Sequence, residues 1–533
     1  MEREPWLGAE VLSYPQRPRT VVDVLDGAVA AFGDRVALRA PEGDLTYGEF
    51  AEAVEGAVER LREEGLQAGD RLAVAARNGL DLAVALFACA RGGFVMVGLN
   101  LRLRAPQWAY MLRHSGARMA LAQPEALDEL RAAADEAGLA TTAVRDVGDH
   151  LRGRRRPWSY GAAQQPDEAA AFAVVYTSGT TGRPKASRVV HRCSVHSAMS
   201  YVEVVGLAGD DRTAVLFPLY YISGLHAHVL PMMLVGGCSV LVADASAHEF
   251  VTLLARERIT WMYTVPSMWQ LLLREDGFTA SVLPDLRRGA FGGSPFPPAM
   301  LDSIRQRLPR LRLTDIYGLS ETHSPATMLR DEEFATKRGS VGRPLPCMEA
   351  KIIDDAGQEV PAGEPGELLL RGSLVTTGYD GDEEATRAAI RAGWLHTGDL
   401  ARLDRDGYVF ILDRKKDMIT RGGNKIFSVE VEQLLLTHPG VADVAVFGIP
   451  DPIAFEAVAA YVVPMPGAQL TRRDVQRWVA ERMSDYAVPR QVRVVDEIPR
   501  NRTGKILKTD LRRRLLDELG HPRRAAEGGD HQG

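Results

Sequence analysis

Arg71-Leu72-Ala73-Val74-Ala75 is a short apolar run with the length of a buried strand. Leu80 to Ala90 then reads as a helix, and Phe94-Val95-Met96-Val97 as a second strand. Strand, helix and strand in this order demand a parallel sheet with helices on its faces. The same rhythm returns from Val240-Leu241-Val242, through a helix over Glu249–Glu257, to Trp261-Met262-Tyr263. Before the first strand, Phe50 to Glu64 carries Val54, Val58 and Leu61 at helical spacing, and Gly65 and Gly69-Asp70 stop it. Leu225 to Val242 is the most apolar stretch, but His226, His228, Gly236 and Gly237 interrupt it. It reads as helix, glycine turn and buried strand, too short and too broken to span a membrane.

After about Pro346 the texture changes. Lys351 to Gly357, Glu367 to Gly372 and Leu403 to Ile411 are short and hairpin-like, the last with Asp406-Gly407 at its turn. A small antiparallel barrel suits them. From Lys416 the pattern is mixed again, with a helix over Val429–Leu436, a strand region over Val441–Ile449 and a helix over Thr471–Met483, capped by Thr471 with Asp474 three residues on. The fold class expected is α/β. A large domain over 1–415, built of parallel-sheet subdomains plus the small barrel, precedes a small α+β domain over 416–520. The polar, Gly-containing tail over 521–533 reads as disordered.

Bulk properties exclude several classes. The 533 residues carry 64 basic and 70 acidic side chains, a net charge of −6, which does not suit a nucleic-acid binder. The run Arg152-Gly153-Arg154-Arg155-Arg156 is the exception and reads as a solvated loop. Cys89, Cys193, Cys238 and Cys347 are far apart and set among apolar or small residues, so reduced, buried thiols are expected and metal knuckles are not. Met1 to Pro18 lacks the apolar core of a signal peptide, and the protein is expected in the cytoplasm.

The densest chemical signal is Tyr176-Thr177-Ser178-Gly179-Thr180-Thr181-Gly182-Arg183-Pro184-Lys185, directly after the apolar strand Ala171–Val175. Glycines allow backbone N–H groups to converge on phosphate oxygens, and the Ser and Thr hydroxyls and Lys185 add donors and charge. It is not the common NTPase loop, which needs Gly-Lys-Ser/Thr opening a helix; here Pro184 separates Arg183 from Lys185.

Thr177 to Lys185 resembles the nucleotide loop of the adenylate-forming superfamily, which includes acyl-CoA synthetases, luciferase and peptide-synthetase adenylation domains. Other motifs of that family follow in order. Gly292-Gly293-Ser294-Pro295 is similar to its adenine-side loop. Tyr317-Gly318-Leu319-Ser320-Glu321 is similar to its tyrosine-glycine motif, Trp394 to Asp399 to its ribose motif, Asp413 to Asp417 to its hinge, and Pro499 to Lys505 to its C-terminal motif. The resemblance implies that Tyr317 stacks on adenine and that Asp315, Gly293, Ser294 and Gly318 help bind the nucleotide. Ser320 touches phosphate and Glu321 holds Mg2+. Asp399 takes the ribose hydroxyls, Arg414 contacts ribose or phosphate, Lys416 is the pivot and Lys505 the catalytic lysine. Gly422 and Gly423 line the path of the thiol, and Tyr221, His226 and Gly292 wall the acyl pocket, with Met232 or Met233 below.

The chemistry needs these residue types. A carboxylate attacking the α-phosphate of ATP brings two anions together, so cations must neutralise the approach. The resulting mixed anhydride must be kept from water. The family's small C-terminal domain rotates at the hinge, withdrawing the lysine and opening the thiol path. The implied reaction is activation of an apolar carboxylic acid to acyl-AMP, then transfer to CoA. Loading of a carrier protein, an enzyme retaining one half-reaction, and a non-catalytic protein on the same fold stand beside it. Four positions depart from the family pattern. Ala186 replaces a glycine and is followed by Ser187 and Arg188, Tyr221 replaces a histidine, Ser320 a threonine and Ser428 a proline. No aspartate stands in Leu216-Phe217-Pro218-Leu219-Tyr220, where amino-acid-activating relatives often carry one.

Overall fold

The computed structural model describes residues 1–140, 143–160, 166–177, 184–294, 296–500 and 506–519. Two mostly parallel sheets form its larger part. One has six strands in the order Lys185–Val190, Ala171–Thr177, Val95–Gly98, Arg71–Ala75, Ala117–Ala122 and Val144–Asp146; only Lys185–Val190 is antiparallel to its neighbour. The other has nine strands, with Arg312–Tyr317, Arg288–Gly292, Trp261–Thr264, Arg212–Val215 and Cys238–Leu241 parallel at its centre. The central strands are buried on both faces, which is why they read as continuous apolar runs. The helices between them start where the sequence supplies caps. Thr46 with Glu49 and Ser246 with Glu249 form reciprocal capping boxes, each worth about 1 kcal/mol.

The third sheet is antiparallel, an open half-barrel. Met348–Ile353, Gly366–Gly372 and Trp394–Leu403 pair in turn, and Val409–Arg414 closes onto Trp394–Leu403. Its Asp406-Gly407 hairpin is held by Asp404, whose carboxylate accepts from the backbone N–H of Asp406 and Tyr408, both at 2.9 Å. The last sheet combines the long hairpin Val441–Asp451 with Phe455–Pro464, the small hairpin Ile419–Arg421 with Asn424–Ile426, and the parallel strand Gln491–Val494. Its helix over Arg472–Ala480 is shorter than the sequence pattern suggests, but carries the Thr471–Asp474 capping box.

Two regions make contacts that the sequence reading did not include. The arginine run is an exposed loop, as expected, but each arginine meets a counter-charge. Arg152 pairs with Asp81 at 2.5 Å, Arg154 with Glu63 at 2.7 Å, Arg155 with Glu49 at 3.0 Å and Arg156 with Glu59 at 2.5 Å. It is a strap laid across the acidic face of the helix Tyr47–Glu63. The first residues form a hairpin, Glu2–Trp6 with Ala9–Ser13. It is fastened by Trp6 Nε1 donating to the Val375 carbonyl at 2.9 Å and by a buried charge cluster. There Arg17 and Arg192 each pair with both Glu4 and Glu168, at 2.8 to 3.0 Å. All four cysteines are buried and unpaired, as expected. No helix among the described residues is long and apolar enough to cross a membrane.

Candidate active site

Strands Ala171–Thr177 and Lys185–Val190 are antiparallel, with Thr177 opposite Lys185. The two strands pair as neighbours on either side of residues 178–183 in the sequence. Ser178, Gly179, Thr180, Thr181 and Gly182 lie outside the described residues, as does Lys505. The Thr177 hydroxyl donates to the Lys185 carbonyl at 3.4 Å. Lys185 Nζ lies 5.0 Å from the centre of the Tyr379 ring, and the Tyr379 hydroxyl donates to Glu321 Oε1 at 2.7 Å. The segment Thr376–Asp380 runs beside Lys185–Val190. Asp380 N donates to the Ala186 carbonyl at 2.8 Å, Arg188 N to the Gly378 carbonyl at 3.0 Å, and Thr376 N to the Glu321 carbonyl at 2.8 Å. Thr376 and Tyr379 were not picked out from sequence. The signal available is Gly378-Tyr379 just after the buried pair Leu374-Val375.

Glu321 sits in a single 3-10 turn, Ser320–Thr322, immediately after the strand Arg312–Tyr317. The turn is tight: a Cβ on Gly318 would stand 1.7 Å from the Ser324 carbonyl oxygen, so no larger residue fits. His323 and Ser324 continue it with φ of 54° and 89°.

The third element is a triad across two sheets. Tyr317 donates its hydroxyl to Asp399 Oδ2 at 2.6 Å, and Arg414 Nε lies 3.0 Å from Asp399 Oδ1. Asp399 and Arg414 are register partners in the antiparallel sheet, while Tyr317 ends a strand of the nine-stranded one. Burial, reinforced by Asp399, pushes the Tyr317 hydroxyl well above its ordinary value. Burial works against the charge on Arg414, but Asp399, Tyr317, Asp417 and Glu321 together outweigh it and raise the guanidinium. A carboxylate has about four acceptor sites, so Asp399 retains capacity for a diol alongside these two donors. Asp315, two residues before Tyr317, is pushed up to about 8 by desolvation. Gly292 ends the neighbouring strand, Gly293 follows with φ of 82°, and Ser294 is half-buried beside it.

Of the expected acyl-side residues, Tyr221 and His226 come together at the turn 220–226, while Gly292 packs against Ile316 and Tyr263. Tyr221 is half-buried, and its hydroxyl accepts from Asn100 Nδ2 at 2.9 Å. A cavity of about 10 Å³ is lined by Leu86, Met96, Val189, Tyr221, Leu225 and His226, room for roughly one water. His226 lies in a π-helical turn, Leu225–Val229. Its Nδ1 donates to the Ile222 carbonyl at 2.6 Å, and its Nε2 is 2.8 Å from the Ser194 hydroxyl. Burial lowers it to about 4. With both nitrogens engaged, this is a packed histidine and not a free base. Met232 and Met233 are buried.

On the C-terminal side, Gly422 and Gly423 form the two-residue turn of the hairpin Ile419–Arg421/Asn424–Ile426, with φ of 56° and 85°. Both are exposed, and both have the left-handed conformation that a type I′ turn requires. The hairpin reaches the half-barrel through Lys425, 3.4 Å from Asp355. Lys416 is exposed, and beside it Asp413 is buried. Asp413 accepts from both the backbone N–H and the hydroxyl of Ser428, and Lys508 Nζ bridges Ser428 Oγ at 2.7 Å and Glu432 at 2.8 Å. Ser428 thus supplies a backbone donor that the family's proline lacks.

Residues 25–380 match the family of AMP-binding enzymes, and residues 430–505 match the AMP-binding enzyme C-terminal domain. The chain belongs to the adenylate-forming, AMP-binding enzymes. A feruloyl-CoA synthase of an Amycolatopsis species is 33% identical to this AMP-binding enzyme over 475 residues, covering 88% of the chain and 94% of the relative. The anthranilate CoA ligase AuaEII, solved with anthranoyl-AMP, is 26% identical with a TM-score of 0.87, covering 95% of this chain and 99% of that one. The o-succinylbenzoate CoA synthetase of Bacillus subtilis, solved with ATP and a magnesium ion, is 30% identical with a TM-score of 0.81, covering 92% and 98%.

No group of three or more His, Cys, Asp or Glu side chains able to hold a metal ion occurs among the described residues of this AMP-binding enzyme. The donor set fits magnesium in another way. Mg2+ commonly takes one or two carboxylates, with substrate phosphates and water completing its shell. Glu321, hydrogen-bonded to Tyr379 near Lys185, offers such a carboxylate.

Proposed function

We propose that this enzyme condenses an apolar carboxylic acid with ATP to acyl-AMP and pyrophosphate, then transfers the acyl group to CoA with release of AMP. One observation carries the reading: Lys185, Tyr379 and Glu321 form one polar group, and Tyr317, Asp399 and Arg414 another. The first lies where the strand Lys185–Val190 begins and the second at the end of the strand Arg312–Tyr317, joined by the turn 318–321. Ligands of open α/β sheets bind at such strand ends.

In this mechanism Tyr317 covers the adenine, and Asp399 with Arg414 holds the ribose. Asp315, Gly293 and Ser294 border the adenine, and Thr177 to Lys185 cradle the β- and γ-phosphates. Ser320 contacts the phosphate that is attacked. Magnesium, when bound at Glu321, neutralises phosphate charge. Lys505 neutralises the approach of the acid carboxylate to the α-phosphate, the bond to pyrophosphate breaks, and pyrophosphate leaves from the segment Thr177 to Lys185. The unit over 416–520 then turns about Lys416, exchanging Lys505 for the Gly422-Gly423 turn. The acid lies against Tyr221 and Gly292, with His226 as a wall. Related ligases named for feruloyl and anthranoyl acyl groups support an aromatic or otherwise apolar acid. The unpaired cysteines suit a cytoplasmic setting.

The test is direct. The protein is incubated with Mg-ATP and a panel of apolar acids, with CoA or with a phosphopantetheinyl carrier protein, and AMP, pyrophosphate and thioester are followed separately. Acid-dependent pyrophosphate release with CoA thioester is expected. Thioester on the carrier alone would reassign the acceptor. Release with no acid, or turnover only of supplied acyl-adenylate, would overturn the full reaction.

A further inference from the structure

Tyr379 is placed where it can act on both ends of the phosphate site. Its hydroxyl donates to Glu321 Oε1 at 2.7 Å, and its ring lies under Lys185 Nζ at 5.0 Å. A cation over an aromatic face is attracted by the ring quadrupole. A carboxylate that accepts a hydrogen bond from a fixed donor is held in one rotamer before any metal arrives.

The residue is itself fixed from every side. Tyr379 N donates to Thr386 Oγ1 at 2.9 Å, and Tyr379 forms an isolated antiparallel bridge with Ser187. The next residue, Asp380, is clamped by Arg71 at 3.2 Å and by Arg188 Nε at 3.5 Å; Arg188 also reaches Glu383 at 3.2 Å. Arg188 stands where the family commonly has a small or apolar residue. This departure builds an ion-pair clamp over the tyrosine strap. Ala186, the departure two residues earlier, contributes the carbonyl that accepts from Asp380 N at 2.8 Å. The Arg188 side chain is thus the departure that braces the strap, since the carbonyl of residue 186 would be offered by glycine as well.

We propose that Tyr379 is the positioning residue of the phosphate site, preorganising Glu321 for the magnesium ion through its hydroxyl and Lys185 for phosphate through its ring. This rests on the assignment of Glu321 and Lys185 made above. The two halves of the side chain separate by substitution. Tyr379→Phe keeps the ring and loses the hydroxyl; Tyr379→Leu loses both.

The test is a calorimetric titration of ATP into the full chain, with Mg2+ and with EDTA, which needs no turnover. For wild type, Mg2+ is expected to tighten ATP binding. Tyr379→Phe should need roughly ten-fold more Mg2+ for half-maximal tightening, the scale of one lost hydrogen bond to a charged group, while its affinity for metal-free ATP stays as in wild type. Tyr379→Leu should weaken metal-free ATP binding as well. Thermal unfolding of each variant is recorded alongside, and Tyr379→Phe should melt with wild type. A Tyr379→Phe chain with wild-type Mg2+ dependence overturns the proposal alone. A wild-type chain whose ATP affinity is indifferent to Mg2+ overturns the metal assignment of Glu321, and the proposal with it. Equal losses with and without metal in Tyr379→Phe would mark a merely structural role and also overturn it.

Discussion

Mild acid should unfold this protein, and five histidines set the scale. His191, His196, His226, His228 and His323 are each no more than 1% exposed. Burial lowers His226 to about 4, His191, His196 and His228 to about 3, and His323 well below 6.5. All five are neutral in the folded chain at pH 5.5, and nearly all are protonated in the unfolded one. The sign follows. A histidine whose folded value lies below its unfolded value contributes stability that is intact above pH 6.5 and lost as pH falls toward 4. One unit below 6.5 the loss is about 1.4 kcal/mol per histidine, roughly 7 kcal/mol for five. Asp315, raised to about 8, acts in the opposite sense and returns about 2 to 3 kcal/mol between pH 7.5 and 5.5. The net loss of about 4 to 5 kcal/mol approaches the whole stability of a marginal domain. The assay is urea unfolding at pH 7.5, 6.5 and 5.5, with proton uptake measured from the buffer dependence of the unfolding heat. At pH 5.5 unfolding should take up at least three protons per chain, and His228→Gln should lower the uptake by about one. Cooperative unfolding with uptake below one proton would refute the assignment of these histidines as buried and neutral.

Three further outcomes concern the reaction and its hinge. Lys505→Ala should lower acyl-adenylate formation by about 10²–10³ and leave thioester formation from supplied acyl-adenylate nearly unchanged; single-turnover assays from each starting point decide this. Gly423→Trp should slow thioester formation while sparing acid-dependent exchange of pyrophosphate into ATP, and equal damage to both would make the turn structural. Ser428→Pro fits the first turn of its helix but removes two hydrogen bonds to Asp413, so urea unfolding should show about 1–3 kcal/mol less stability in the C-terminal unit.

The parallel strands were legible because burial on both faces writes apolar runs such as Arg71–Ala75 and Trp261–Thr264, and the hairpin at Asp406-Gly407 because its turn chemistry is local. What stayed hidden depends on partners far away in the chain. Glu2–Trp6 opens on three consecutive charges, Glu2-Arg3-Glu4, which reads as solvated chain, and its partners Arg192 and Val375 lie more than a hundred residues on. The Arg152–Arg156 run looked solvated because its counter-charges, Glu49, Glu59, Glu63 and Asp81, sit on two earlier helices. In the candidate site, Tyr317, Glu321, Asp399 and Arg414 were marked by motif. Tyr379 was not, since a lone aromatic after a glycine carries no spacing that announces its contact with Glu321. The departures Arg188 and Ser428 were visible as departures, yet their ion pairs and hydrogen bonds exist only in three dimensions.

The charge cluster under the first hairpin has a practical corollary. The family match begins at residue 25, and a shortened gene product cut there would look complete by similarity. It would lack Glu4, Ser13 and Arg17. Arg192, 2% exposed, would keep Glu168 but lose Glu4 at 3.0 Å and the Ser13 hydroxyl at 2.6 Å. Arg192 lies on the helix His191–Val205, which continues directly from the strand that begins with Lys185. A half-compensated guanidinium would then be buried just beyond the end of that strand, at a cost of several kcal/mol. Recombinant boundaries for this protein belong ahead of residue 2, and an affinity tag belongs at the other end.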